Sequence, residues 1–410
     1  MPGVLIVAYH FPPLRGSSGI QRTLRFCQYL PKFGWQPMVL TVDPRAYESV
    51  SEDLAADVDP GTPVVRAFAL DAARHLALRG AYPAFLATPD RWSSWLVAGV
   101  IAGLRLVRRH KPRVIFSTYP IATAHLIGLW LHRLTGLPWV ADFRDPMAQD
   151  EYPADARLRA RLHRLDAKVV RHATRALFTT PGAIAECRAR YPDLPAERWA
   201  LIENGYDEEA FAGLVPVAAP SQRFVLLHSG IVYTSERDPS AFIAALGALK
   251  RTGAISAASL EVRFRASAND ALLRALSQQH DVADVVSLEP PLPYRAALGE
   301  MMSVDALLLL QAANCNSQIP AKVYEYLRAG RPVFSLTDER GDTAGLLNRA
   351  GLGVQAPLDA QARIAEALQR FVADVRARRA SVADPAYVRS CSRFERSREL
   401  ASVLDAAMAS

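Results

Sequence analysis

Residues 1–35 read MPGVLIVAYHFPPLRGSSGIQRTLRFCQYLPKFGW. Val4, Leu5, Ile6 and Val7 form an apolar run without alternation, the pattern of a parallel strand covered on both faces. Pro12 and Pro13 cannot donate ladder hydrogen bonds, so the strand ends before them. Gly16, Ser17, Ser18 and Gly19 supply mobile backbone and N-cap oxygens, and a helix is predicted from Ile20 to Phe33. Met38 to Val42 is again apolar, completing a strand–loop–helix–strand unit. Free N–H groups at such a helix start favour an anion, and glycine allows close approach. The loop therefore suits a phosphate, although a well-capped helix start has the same residues. It contains neither G-x-G-x-x-G nor a Gly-Lys-Ser/Thr loop, which argues against the common dinucleotide and P-loop sites.

The same alternation continues outward. Apolar strands are predicted at Val4–Ala8, Met38–Val42, Val64–Phe68, Val114–Ser117, Trp139–Asp142 and Ala176–Thr179. A second series follows at Phe224–His228, Leu260–Phe264, Val285–Leu288, Ala306–Leu310 and Pro332–Leu336. Strands alternating with helices imply parallel sheets with helices on both faces. VPVAAPSQ, Val215 to Gln222, has the composition of a linker. The expected organisation is α/β throughout: an N-terminal Rossmann-like domain over 1–214, a second over 215–385, and a helical tail over 386–410. The tail either closes the second domain or returns to the first. Strand-end loops facing a cleft between the domains are the expected site.

Of the 410 residues half are hydrophobic and 22% charged, which excludes a mainly disordered chain. Cys27, Cys187, Cys315 and Cys391 lie far apart and suggest neither a disulfide framework nor a zinc ribbon; a reducing cytoplasm is expected. No secretory signal is read at the N-terminus. Trp92 to Val107 is apolar, but it contains Arg105 and is too short to span a bilayer. It either packs on the sheet or, with Arg108, Arg109, Lys111 and Arg113 after it, rests on an anionic membrane. The net charge of +7 suits acidic partners. Ala156 to Arg175 carries much of it among helical leucines and valines, either as a solvated face or as a membrane contact. Without interleaved aromatics, nucleic acid is not an expected partner.

Six segments occur in an order that carries a resemblance: residues 9–35, STYP at 117–120, ADFRDP at 141–146, IENGYD at 202–207, HSGIVYTSERDP at 228–239 and IPAKVYEYLRAGRPVF at 319–334. Together they resemble the GT-B glycosyltransferases of family 4, the retaining, nucleotide-sugar-dependent type common in bacterial surface-polysaccharide assembly. The resemblance implies two Rossmann-like domains, with the donor bound mainly by the second.

It also implies roles. Glu325 matches the glutamate that holds the donor ribose, since an ionised carboxylate can accept two hydrogen bonds from a vicinal diol. Lys322 lies three residues earlier and shares its helix face. An earlier family glutamate, directed at the transferred sugar, is replaced here by Ser317; Ser317, Gln318 and the backbone at Ile319 stand in its place, with Val323 on the same segment. In the loop after the first strand of the second domain, Gly230 is followed by Ile231 at the position that matches a family arginine, and Arg237 falls near that of a lysine directed at the diphosphate. RASAND, Arg265 to Asp270, lacks the usual glycines. Tyr119, Asp142, Arg144 and Asp145 are expected on the acceptor side, with a structural Asp142–Arg144–Asp145 network as the competing reading. His10 and His125 are weaker candidates.

The implied activity is transfer of a sugar from a nucleoside diphosphate sugar to a glycan or lipid-linked acceptor, with retention. Arg237, Lys322 and Asp145 are the catalytic candidates, Gly16 to Gly19 help to hold the donor, and neither metal nor other cofactor is expected. A cytoplasmic protein, peripheral on the inner face of the plasma membrane, is implied. The competing readings are a non-catalytic homologue that binds nucleotide or glycan, and a nucleotide-sugar epimerase on the same fold.

Overall fold

The computed structural model describes residues 1–15, 18–51, 54–79, 81–147, 153–216 and 223–410. They form two units, Met1–Asn204 with Arg393–Ser410, and Gly205–Ser392.

In the first unit the strands are β1 (Gly3–Val7), β2 (Gln36–Val42), β3 (Val64–Ala67), β4 (Val114–Thr118), β5 (Trp139–Arg144), β6 (Arg175–Phe178) and β7 (Trp199–Leu201). They lie in the order β3-β2-β1-β4-β5-β6-β7, every pair parallel. The unbroken run in β1 has a direct cause. Leu5 and Val7 enter one apolar core while Val4 and Ile6 enter another on the opposite face. The C-terminal helix, Arg393–Met408, packs on the second of these through Leu400 and Leu404. Trp35 Nε1 also donates to Asp405 Oδ1 at 3.0 Å.

The second unit contains β8 (Phe224–Ser229), β9 (Leu260–Arg265), β10 (Val286–Glu289), β11 (Ala306–Leu310) and β12 (Val333–Leu336), ordered β10-β9-β8-β11-β12 and again all parallel. β11 repeats the logic of β1: Ala306, Leu308 and Leu310 face one core, Leu307 and Leu309 the other. This unit begins at Gly205, ahead of the division read after residue 214, because Tyr206, Ala210 and Phe211 bury in its core. Of the linker segment, residues 217–222 lie outside the described residues.

Three helices cover one face of the first sheet: Trp95–His110, Ala122–Thr135 and Ala156–His172. Gly99 and Gly103 let the first approach the second. A Cβ at Gly99 would stand 2.5 Å from Ile127 Cδ1, and one at Gly103 2.7 Å from Leu131 Cδ1. The predicted Trp92–Val107 helix thus packs on the sheet side through Trp95 and Leu106, while Val97 and Ile101 are exposed. Among the described residues no helix is long and apolar enough to cross a membrane.

Candidate functional site

The residues that the sequence singles out in the second unit gather where β8 ends and the Lys322–Ala329 helix begins. Gly230 follows β8 with φ +107°, a conformation that side chains rarely adopt. A Cβ there would lie 3.1 Å from Lys322 Nζ, so glycine lets the lysine head meet this backbone turn. His228, fully buried on β8, places Nδ1 3.0 Å from the Leu308 carbonyl oxygen. Nδ1 therefore carries the proton and donates. Nε2 is left as an acceptor, 3.1 Å from Lys322 Nζ. Burial and the nearby Arg237 charge push the Lys322 amine well below its ordinary pKa, with Glu325 opposing them. Burial also pushes His228 well below its ordinary value, with Lys322 adding to the effect.

Arg237 belongs to this group through its field on Lys322. Its guanidinium lies 5.1 Å from the Tyr233 ring centroid, and Nη1 donates to the Ile231 carbonyl oxygen at 3.1 Å. It does not serve as a partner of Asp238, whose carboxylate instead accepts from the Ser240 backbone N–H and hydroxyl. Ile231 is 41% exposed.

One turn along the helix, Glu325 Oε1 accepts from Tyr294 Oη at 2.8 Å. Ser317 and Gln318 lie in the connection that leads from β11 into this helix. The buried Gln311 side chain holds that connection, its Nε2 donating to the carbonyl oxygens of Cys315 and Gln318 at 2.9 Å each. Thr343 Oγ1 donates to the Gln318 oxygen as well. The Val323 side chain is turned away from the expected donor contact, whereas the expectation at Ile319 concerns its backbone. Both side chains bury in the core beneath, Val323 because the helix turns its apolar stripe inward. The helix itself starts at Lys322 rather than at Pro320, whose carbonyl accepts from the Val323 N–H at 3.0 Å.

After β9, Ala266 and Ala268 adopt φ +55° and +54°. The loop without glycines therefore still takes the left-handed turns that glycine would supply, at about 1–2 kcal/mol per residue. Ser267 Oγ stabilises it by accepting from the Asn269 N–H at 3.1 Å.

In the first unit the acceptor-side candidates separate. Asp142 is fully buried and clamped by Arg22, which donates through Nε at 3.1 Å and Nη2 at 3.0 Å. Thr118 Oγ1 adds a third donor at 2.8 Å. Arg22 continues to the carbonyl oxygens of Ile202 and Glu203. Asp142 is thus a structural anchor, and its guanidinium partner is Arg22 instead of Arg144. The pairing between β5 and β6 shifts register between Asp142 and Arg144. Arg144 there takes φ +62° and donates through Nη1 to the Tyr119 carbonyl oxygen at 3.4 Å. Burial depresses its pKa, and Arg22 adds to this.

Arg144 also meets the first loop. A Cβ at Gly19 would strike His10 Nδ1 and would stand 2.7 Å from Arg144 Nη1. His10 is pushed down to about 3 by burial and by Arg144. Gly19 is thus required for the close approach of helix, histidine and arginine. Ser18 is the first residue of that helix, whereas Gly16 and Ser17 lie outside the described residues. Tyr119 stacks on His125 with ring centroids 6.3 Å apart. Asp145, the first residue after β5, is partly exposed, its N–H donating to the Phe143 carbonyl at 2.7 Å. His125 is a core residue: Ser117 Oγ lies 2.7 Å from its Nδ1 and accepts from Trp139 Nε1 at 2.8 Å.

Sequence reasoning missed His228, Tyr294 and Arg22. His228 reads as the last residue of an apolar strand, Tyr294 lies in no motif, and an arginine on an amphipathic helix reads as solvated.

Residues 18–205 match the model of the glycosyl transferase 4-like domain. No curated protein matches the chain. Among solved structures, sucrose-phosphate synthase of Thermosynechococcus elongatus is similar over 100% of this chain and 97% of its own, with a TM-score of 0.64 at 15% identity. Anabaena HepE in complex with UDP is similar over 99% and 100%, with a TM-score of 0.69 at 13% identity. The lipopolysaccharide outer core galactosyltransferase WaaB is similar over 98% and 99%, with a TM-score of 0.65 at 10% identity. Residues 18–205, a little under half of the chain, are thus similar to the glycosyl transferase 4-like domain, and the chain as a whole shares the GT-B fold of these structures, the fold that its ordered motifs implied.

Proposed function

We propose that this protein transfers a sugar, with retention at the anomeric carbon, from a nucleoside diphosphate sugar to a glycan or lipid-linked acceptor in surface-polysaccharide assembly. The observation that carries the reading is the grouping of Gly230, Lys322, Arg237 and Glu325 in the second unit. Two cationic side chains near an open backbone turn suit a diphosphate, and a carboxylate one helical turn away suits the ribose diol. Lys322 and Arg237 offset the charge that grows on the departing diphosphate, as preorganised donors do for any developing anion. Ser317 and Gln318 are assigned to the transferred sugar. In the first unit Gly19, in the opening turn of its helix, keeps its assignment to donor binding, without a metal ion. Tyr119, Arg144 and Asp145 remain the assignments for the acceptor, whereas Asp142 acts by holding the loop in place. HepE is known in complex with UDP and with UDP-glucose, which makes a uridine donor the first to test.

We assign the protein to the cytoplasmic face of an anionic membrane. Three adjacent helices support this, since Val97, Ile101, Trp130 and Leu134 are exposed on two of them and arginines flank these residues. The one acidic residue in the three helices, Asp166, is buried and accepts from Tyr191 Oη at 2.7 Å.

A thermal-shift screen against UDP-, GDP-, ADP- and dTDP-sugars tests the donor, because a ligand that binds the native state raises the melting temperature. Nucleoside diphosphate release that depends on an acceptor then identifies a transferase. Binding without release favours the non-catalytic homologue, and conversion of the donor sugar without acceptor favours an epimerase.

A further inference from the structure

His228 has no role in the reading above, yet it is fully buried at the base of the same group. Its Nδ1 proton is committed to the Leu308 carbonyl oxygen at 3.0 Å. With that proton on Nδ1, Nε2 is a lone-pair acceptor 3.1 Å from Lys322 Nζ, and the Ile231 backbone also lies within hydrogen-bond reach of the ring. An amine with four carbons of rotatable stem is otherwise a poorly aimed charge. Here one of its N–H bonds is fixed by the imidazole, while a Cβ-free residue, Gly230, lies on another side.

We propose that His228 is a positioning residue that aims the Lys322 amine at a phosphate group, and that Lys322 takes up a proton when this anion binds. The inference rests on the donor reading and deepens it. In the ligand-free protein the charged groups facing Lys322 are Arg237, which disfavours an ammonium, and Glu325, which favours one; His228 is neutral. Burial and Arg237 outweigh Glu325, so the amine is held below its ordinary pKa. A diphosphate brings negative charge within reach and reverses the balance. The balance of the step is simple: the proton moves from solvent to Nζ, the imidazole keeps its Nδ1 proton, and no bond to the sugar changes. The consequence is that nucleotide affinity falls as pH rises between the free and bound pKa values of Lys322.

The two possible amide replacements separate positioning from packing. Asparagine reaches the Nδ1 site and can still donate to Leu308, but offers nothing to Lys322. Glutamine reaches the Nε2 site and offers Lys322 an oxygen. His228→Asn is expected to weaken UDP binding about tenfold, the scale for a hydrogen bond to a charged group, with its pH dependence displaced to lower pH. His228→Gln is expected to remain within a few-fold of the parent. Equal losses in both variants would make His228 a packing residue only. A measurement on the unaltered protein covers the case in which neither variant folds: ¹⁵N NMR of the histidine rings should show His228 protonated at Nδ1 and bare at Nε2, and the opposite tautomer overturns the inference.

Proton uptake is read by calorimetric titration with UDP, GDP and ADP at pH 8, where the terminal phosphate is ionised, in buffers of different ionisation enthalpy. Net proton uptake on nucleotide binding, lost in Lys322→Met, is the expected result. Binding without uptake overturns this inference and leaves the donor reading standing. No binding of any of the three nucleotides overturns the donor reading, and this inference with it.

Discussion

Tyr294 Oη donates to Glu325 Oε1 at 2.8 Å, so the carboxylate assigned to the donor ribose is oriented by a phenol from a neighbouring helix of the same unit. Glu325→Gln keeps the shape and weakens the acceptor, and donor affinity is expected to fall by about 1–3 kcal/mol with folding little changed. Tyr294→Phe removes only the orienting bond, for a loss of about 0.5–1.5 kcal/mol. Calorimetric titration with the nucleotide found in the screen reads both. An unaltered affinity in Glu325→Gln means that this helix does not hold the ribose.

The Arg22–Asp142 clamp predicts a stability effect in the first unit. Arg22→Ala would leave the fully buried Asp142 without its guanidinium, at a cost of about 3–5 kcal/mol. Replacing both residues by apolar side chains of similar volume should cost less than either single change to alanine. Denaturant unfolding of the four proteins decides this, and a loss below about 1 kcal/mol in Arg22→Ala would remove the clamp from the account.

Buried neutral histidines predict a pH dependence. His125 is held down to about 3 by burial, against the favourable influence of Asp142. Its folded pKa lies below the unfolded value, so the unfolded chain binds the extra proton. Stability from this group is therefore complete above about pH 6.5 and is lost as the pH falls towards 3, at about 1.4 kcal/mol per pH unit. His125→Gln should flatten the fall in stability between pH 6.5 and 4.5 relative to the parent. Parallel curves for the two proteins would mean that His125 is protonated in the folded state.

The exposed Trp130 and Leu134 and the exposed arginines on the neighbouring helices predict sedimentation with vesicles rich in anionic lipid, and release in high salt. Trp130→Ala should weaken capture, and so should Arg161→Glu combined with Arg164→Glu. Failure to sediment with such vesicles at low salt rejects the membrane assignment and leaves these helices as a solvated face.

Much of the fold was legible because burial on both sides leaves β1 and β11 as continuous apolar runs, with glycine and proline marking the turns. β7 was not, since Trp199–Leu201 is a three-residue edge strand and only partly buried. Lys322 and Glu325 were legible as a pair because three residues on a helix share a face. The partner of Asp142 was not, because Arg22 is 120 positions away in sequence and only the sheet order brings β5 beside the first helix. His228 escaped for a similar reason: its partners lie on β11 and on the helix after it, and a histidine within an apolar strand reads as an ordinary core residue. Val323 comes from a motif, whose spacing does not tell which of its apolar residues turn inward.

The central claim is that Lys322 and Arg237 act together on a departing diphosphate, and the most direct measurement is a double-mutant cycle on kcat with donor and acceptor in hand. Lys322→Ala and Arg237→Ala are each expected to lower kcat about a hundredfold or more, with a smaller effect on donor binding, since charge builds in the transition state. The double variant should lose less than the product of the two factors, because residues that serve one anion act as a unit. Small effects that multiply without coupling would contradict the account, and would leave Arg237 as a structural partner of Tyr233, Glu236 and the Ile231 carbonyl.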